Sequence, residues 1–521
     1  MFHSRAAVLA ALFLLAVCTV ARAEDVTLTS RDGSVEITGN LLGYDGEFYR
    51  VDTVYGVLTV DGSGVICDGP GCPDLTAFVA QFTFSGARTM GEVLLPLLVE
   101  SFAARSGYAV ERRLIDDTHF TYILTDEATG AKAAEIGFRV TSTAEGFADL
   151  LANEADLVLS TRPVLPQEAE RAHDAGIGDL TDPRRSLILA LDAMAVIVSP
   201  ESQLTGLTLD QIARIFAGEI GNWSELGGPD APIALHLRSR QSGIAQAFAS
   251  ALQDMAGLAP ADSVIRHDSN GGLADAVASD PLAIGISPYS ETGNARVLAV
   301  EGSCGMVSEL DDLTLKTEDY PLPLPLFVYT PARRLPLLAR EFLKFARSPA
   351  AQSVVARAGF VDLRLLKVPV AEQGLRLAGA IAEAGGEVTL DELQRMVTAM
   401  DGTERLTLSF RFEPGGTRLD APSRSNVEIL AEQIEAGAFD DRPLVFVGFS
   451  DGVGAAEANA RLARRRAVAV RDAVLKAAPT ADRSRLNVSV EAFGEAMPMA
   501  CDEDAWGREI NRRVEVWAAQ R

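Results

Sequence analysis

The chain has 521 residues, 48% of them hydrophobic, 23% charged and 6% aromatic, a balance that fills large cores and excludes global disorder. Its formal charge of −25, from 47 Lys and Arg against 72 Asp and Glu, leaves no broad basic field for nucleic acid or an anionic membrane face. Five histidines and five cysteines lie scattered without metal-ligand spacing, so a metalloenzyme is disfavoured and no cofactor is implied.

Residues 1–23 read as a signal peptide: Arg5, an apolar run from Ala6 to Val20, and the small-x-small site Ala21-Arg22-Ala23, so that the mature chain begins at Glu24. Cys18 follows Val17, where a lipidation box calls for a small residue. No later stretch reaches the ~18 uninterrupted apolar residues of a spanning helix, and no transmembrane segment is expected. Residues 24–75 form a small β module, with β-type runs Val26 to Thr29, Val35 to Thr38, Phe48 to Val51 and Val57 to Val60 separated by Asp-Gly turns. Packing or partner contact is its expected role. Cys67 and Cys72 bracket Asp-Gly-Pro-Gly, a tight turn that favours a local disulfide in an oxidising compartment. A pairing of Cys304 with Cys501 stays open.

Residues 76–365 alternate strand and helix patterns, such as the apolar run Ser186 to Val198 and the helical stretch Gly91 to Arg105. The region is long enough for two lobes, with Leu191 to Ala195 as a first crossing and the segment near Cys304 as a return. Two small-polar loops precede helices here, Ser85-Gly86-Ala87-Arg88-Thr89 and Ser239-Arg240-Gln241-Ser242-Gly243. Helix N-termini present unsatisfied N–H groups, so two converging on a cleft bind an oxyanion without metal. Ser160-Thr161-Arg162-Pro163 closes a third side. The ensemble resembles the PstS-like periplasmic phosphate-binding proteins of ABC transporters over roughly residues 82–348. That resemblance implies a bilobal α/β domain and an anion site at Ser85, Thr89, Thr161, Arg238, Ser242 and Gly243. Ile244 stands where the family has a Thr, Arg240 falls where it often has a proton-accepting acid, and Thr161 falls near another family acid. The implied ligand is phosphate or another small oxyanion, with Arg240 favouring the dianion.

Residues 366–403 read as a polar helical connector, and residues 404–521 as a βαβ-type domain that opens with a strand Leu406 to Phe412 and a helix Ser425 to Ala436. Its apolar strand Leu444 to Phe449 ends in Ser450-Asp451-Gly452, and the helix that follows carries Asn459, Leu462 and Arg466 on one face. An inward Arg needs an anionic or carbonyl partner. Arg464 and Arg465 take solvated positions. This segment resembles the OmpA-like peptidoglycan-binding family through Gly448-Phe449-Ser450-Asp451, Asn459, Arg466-Ala467 and Gly507 to Glu515. The resemblance implies that Asp451 and Arg466, with Asn459 beside them, grip the ammonium and carboxylate of diaminopimelate in a peptidoglycan stem peptide.

The expected fold class is therefore an α/β and α+β multidomain protein. The expected function is that of a non-catalytic periplasmic protein, anchored to the cell wall near the outer membrane and carrying an oxyanion-binding domain. The alternatives are an ABC-transporter phosphate receptor and a wall-localised hydrolase. For the hydrolase, Ser85, Ser160 and Ser242 are the candidate nucleophiles, but none lies in a Gly-x-Ser-x-Gly or Ser-x-x-Lys motif.

Overall fold

The structure, a computed structural model, describes residues 25–75, 78–382, 388–412 and 416–520, so the signal-peptide reading lies outside the described residues. At the N-terminal end, Val26–Ser30, Glu36–Tyr44, Phe48–Thr53, Gly56–Asp61 and Val65–Asp68 form one antiparallel five-stranded sheet. Strand alternation turns Val26, Leu28, Tyr49 and Val51 into its small core. Cys67 and Cys72 are bonded at the end of this sheet, with an S–S distance of 1.96 Å. The module is held to the central domain by Arg334, whose guanidinium donates to Asp45 and Glu47 at 2.6 Å each.

The central domain has two cores joined by one long strand. Ser186–Val198 pairs through its first half with Pro323–Tyr329 and through its second half with Ala283–Pro288. One sheet path therefore runs through both lobes. Phe82, Phe84, Phe102, Phe138 and Phe342 belong to the core of the first lobe. Ile212, Phe216, Leu237, Phe248 and Ile284 belong to that of the second. The return crossing is made by Pro323–Tyr329 rather than near Cys304, because that strand follows its long partner from one lobe to the other. Cys304 instead lies in a turn between Ala299–Glu301 and Val307–Ser308, in a small sheet on the second lobe. Leu191 and Val361 add a third link, each donating its N–H to the other's carbonyl at 2.8 and 3.1 Å.

In the C-terminal part, Thr403–Phe410, Val514–Ala519, Leu444–Phe449 and Val488–Gly494 make a sheet, with Lys367–Pro369 paired to its outer strand. Part of the expected connector thus belongs to this sheet. Helices Ala421–Glu435 and Ala456–Ala477 contribute to the core on one face, where Val427, Leu430, Val470 and Val474 meet Leu406 and Phe446. Met396 and Met400, from the helix Leu390–Met400, pack on Val447, Phe449 and Trp517 on the other.

The C-terminal domain docks on both lobes. Cys501 is bonded to Cys304 at 2.03 Å. Arg405 donates to Asp319 at 2.9 Å, with both side chains buried. Asn426 donates to the Glu318 carboxylate at 2.9 Å. Toward the first lobe, Glu432 lies 3.4 Å from Arg347. Inside the domain, the buried Glu515 receives Arg513 at 2.7 Å and Arg376 at 2.6 Å, and these guanidiniums hold its carboxyl below the usual range despite burial.

Candidate functional site

The parallel strands Ala80–Ala87, Lys132–Thr141 and Leu157–Ser160 carry their C-terminal ends to one edge of the first lobe. On the second lobe the strand Ala234–Arg238, parallel to Ile265–His267 and Ala283–Pro288, brings Arg238 to face that edge. Four helical N-termini begin just beyond these strand ends. They start at Arg88, Thr143, Gly243 and Asn270, the last three capped by Ser142, Ser242 and Ser269. Between them lies a small cavity of about 20 Å³, lined by Arg88, Thr89, Thr141, Thr161, Arg238 and Asn270 among others. Neither Asp nor Glu lines it.

Close approach is built into the backbone. A Cβ on Gly243 would overlap the hydroxyls of Thr161 and Thr143, so only glycine lets this helix start meet the opposite lobe. Gly86, at φ +138°, likewise lies against the Leu159 carbonyl.

Four buried polar atoms at the cavity have no hydrogen-bond partner: Thr141 Oγ1, Thr161 Oγ1, Arg238 Nε and Asn270 Oδ1. Buried polar atoms are rarely left unpaired, and four around one cavity mark a place built for a polar occupant. Arg238 is only 5% exposed and uses Nη1 on the His267 carbonyl at 3.0 Å. Burial, followed by the nearby Arg88, pushes its pKa down, so an anion in the cavity would relieve it.

Other residues expected at the anion site sit differently. Thr89, Thr161, Arg238, Ser242 and Gly243 line the cavity, whereas Ser85 does not. Its buried hydroxyl donates to Asp149 at 2.6 Å, behind the site, and Arg139 donates to the same carboxylate at 2.7 Å. The Ser242 hydroxyl donates to the Ser239 carbonyl at 2.8 Å and accepts from the Ala245 N–H, so it caps its helix. Arg240 turns outward to Asp262 at 3.0 Å and lies outside the cavity lining. The sequence reading missed Arg88, Thr141, Ser142 and Asn270 at this site. Ser142 carries a legible signal, since Ser142-Thr143-Ala144-Glu145 is a capping-box spacing after an alternating strand.

The three serines considered as nucleophiles have committed hydroxyls: Ser85 on Asp149, Ser242 on Ser239, and Ser160 on the Arg162 carbonyl at 2.6 Å. A larger cavity, about 800 Å³, lies between the first lobe and the C-terminal domain and is rich in arginine. Its charges are largely matched: Arg184 by Asp182, Arg333 by Asp156, Arg340 by Glu47 and Arg347 by Glu432.

In the C-terminal domain, a Cβ on Gly448 would overlap the Ala463 carbonyl, so glycine allows the helix Ala456–Ala477 to press onto the strand Leu444–Phe449. Asp451 follows that strand and accepts from Arg512 at 2.6 Å, while Asn459 braces its loop by donating to the Asp451 and Val453 carbonyls at 3.2 and 3.1 Å. Arg466 is 3% exposed, donates from Nε to the Gly416 carbonyl at 3.3 Å, and lies 5.0 Å from the Phe412 ring centroid. Its Nη1 is buried without a partner. Burial, then Arg512, pushes its pKa down while Asp451 pulls it up. Asp451 and Arg466 thus sit within electrostatic reach, but the direct partner of Asp451 is Arg512.

A family model described as PBP superfamily domain matches residues 76–350, and one described as OmpA family matches residues 411–512. The chain is 32% identical over 181 residues to the phosphate-binding protein PstS of Bacillus subtilis, covering 34% of this chain and 58% of that protein's length. It is 25% identical over 217 residues to the phosphate-binding protein PstS of Borreliella burgdorferi, covering 40% and 72%. Among solved structures, an ABC-type phosphate transport receptor from Vibrio cholerae aligns with a TM-score of 0.41 at 19% identity, over 54% of this chain and 99% of that one. The periplasmic domain of Helicobacter pylori MotB aligns with a TM-score of 0.20 at 19% identity, over 23% and 75%. With the first match spanning more than half of its length, the chain belongs to the PBP superfamily and carries an OmpA family domain toward its C-terminal end.

Proposed function

We propose that this protein is a non-catalytic, extracytoplasmic binding protein that holds a phosphate-type oxyanion between its two lobes and is tethered to peptidoglycan by its C-terminal domain. The proposed units are 24–75, 76–365, 366–403 and 404–521, with the third joined to the sheet of the fourth. One observation carries the anion reading: unpartnered polar atoms of Thr141, Thr161, Arg238 and Asn270 surround a carboxylate-free cavity at four helix N-termini. Arg238 supplies charge and a directed Nε–H, Thr89 and Thr161 supply hydroxyls, and Gly243 supplies backbone without bulk. Committed hydroxyls on Ser85, Ser160 and Ser242 support binding over hydrolysis.

At the wall site, Asp451 would receive an ammonium and Arg466, through its unpartnered Nη1, a carboxylate, as the two ends of diaminopimelate present. Asn459 keeps the Asp451 loop in place. Calorimetry of the protein from Glu24 onward is expected to give saturable phosphate binding that Arg238→Ala removes; no heat with phosphate or sulfate at millimolar concentration would sink the anion reading. For the tether, the same protein is expected to sediment with peptidoglycan sacculi and to lose this with Asp451→Ala or Arg466→Ala. Arg464→Ala, at an exposed position, is expected to leave it near normal. Normal sedimentation of both site variants would remove the assigned residues.

A further inference from the structure

We propose that the arginine-rich cavity between the first lobe and the C-terminal domain binds an anionic amphiphile, a molecule with one carboxylate or phosphate head and an aliphatic chain. The cavity holds about 800 Å³, the size of a small-molecule site, and lies where two domains meet. Its two walls differ in chemistry. The first lobe contributes Arg184, Arg185, Arg333, Arg334, Arg340 and Arg347, with Leu187, Leu335 and Leu343 beside them. The C-terminal wall is mostly apolar, made by Leu419, Ala421, Val427 and Ala473 alongside Arg424 and Glu428. Glu428 is the one carboxylate among the lining residues. A ligand that satisfies both walls presents negative charge to one and hydrocarbon to the other.

Most of the first-lobe arginines are held by carboxylates outside the lining: Arg184 by Asp182, Arg333 by Asp156, and Arg334 and Arg340 by Asp45 and Glu47. Arg185 and Arg347 lack such a hold. Arg185 donates to the Pro331 carbonyl at 2.8 Å and forms no ion pair among the described residues. The Arg347 guanidinium makes no hydrogen bond among the described residues; Glu432 lies 3.4 Å from it across the domain junction, and its Nη2 is buried without a partner. A guanidinium fork left open in this way matches a carboxylate or phosphate bidentately. Arg340, Leu343 and Arg347 recur at spacings of three and four along and just beyond the helix Leu337–Ala346, so charge and hydrocarbon share one helix face. A second hollow of about 780 Å³ shares Leu187, Leu343 and Arg347 with the cavity, which gives the chain room to run on. A bare small anion would leave the apolar wall in water, and an uncharged chain would leave Arg347 unpaired.

The test is calorimetry of the protein from Glu24 onward against dodecanoate, dodecyl phosphate, dodecyltrimethylammonium and hexanoate, each below its micelle concentration. The cleft of about 20 Å³ between the lobes has no room for a dodecyl chain, so binding reports on this cavity. Dodecanoate or dodecyl phosphate is expected to saturate one site, and the tighter of the two identifies the head. The cationic amphiphile, and hexanoate with the shorter chain, are each expected to bind at least about 10-fold more weakly. Arg347→Gln is expected to weaken the anionic amphiphile by about 10-fold, and Ala473→Phe, which fills part of the apolar wall and leaves every charge in place, by several-fold; circular dichroism checks the fold of both. Equal binding of the cationic and anionic amphiphiles, or of hexanoate and dodecanoate, would overturn the proposal, and neither comparison needs a variant to fold. Lack of saturation with both anionic amphiphiles, or unchanged affinity in both variants, would overturn it as well.

Discussion

At Glu318 burial acts directly on stability. It lies at φ 57° where the second lobe meets the C-terminal domain, taking a hydrogen bond from Asn426 with Arg411 nearby. Burial first, and Asp420 after it, push its pKa up to about 8 from a model-peptide 4.5. The folded protein therefore keeps a proton that the unfolded chain releases above about 4.5, so this group's contribution to stability declines as pH rises from about 4.5 to 8 and is level beyond. Glu318→Gln removes the titration. Urea unfolding is expected to show little change at pH 5 and a gain on the order of 2 kcal/mol at pH 9; an equal effect at both values would count against a buried neutral carboxyl. Such residues are poorly legible in a sequence, because Glu318 is buried by a domain more than eighty residues further on. The same holds at the sites. An inward Arg466 follows from helical spacing, but the pairing of Asp451 with Arg512 depends on loop geometry. Arg240 sits two residues before Ser242 and turns outward to the exposed Asp262, and Asn270 reaches the site through a contact with Thr89 of the opposite lobe, 181 residues away in the chain.

Elements were more legible than their contacts. The apolar run Ser186 to Val198 is one strand over its whole length, and Leu444 to Phe449 is the strand leading to Asp451. The expected strand Leu406 to Phe412 and helix Ser425 to Ala436 are present, shifted to Thr403–Phe410 and Ala421–Glu435. These shifts are typical of element ends, which are set by capping: Asp420 accepts from the Ser423 N–H and starts the helix earlier. What local pattern could not supply was the partner of each strand, hence the misplaced return crossing. The helix Gly243–Ala256 shows how an element depends on one position at its start. Gly243→Ala is expected to fold, since the second-lobe core around Phe248 and Leu252 is untouched, but to weaken phosphate binding by about 100-fold or more by forcing Thr161 and Thr143 away. Calorimetry reads that loss, and circular dichroism checks the fold.

Over the whole molecule, the C-terminal domain behaves as a brace rather than as a pendant tail. It reaches the second lobe through Arg405–Asp319 and the Cys304–Cys501 bond, and the first through Arg347–Glu432. A bond closing a separation of 197 residues removes about 5 kcal/mol of unfolded-chain freedom in the chain-entropy account. Replacing both cysteines with serine is expected to split the calorimetric unfolding trace, with the C-terminal domain melting apart from the two-lobed domain; one unchanged transition would mean that noncovalent docking suffices. The bond also has a topological consequence. Residues 304 and 501 close a covalent ring that contains the segment 366–403 between the two-lobed domain and the C-terminal domain. A single protease cut anywhere in that ring leaves the two pieces joined through sulfur. Nicked protein is expected to run at full mass on a non-reducing gel and to fall into two bands with reductant, so a C-terminal domain cut loose at the linker stays attached to the two-lobed domain.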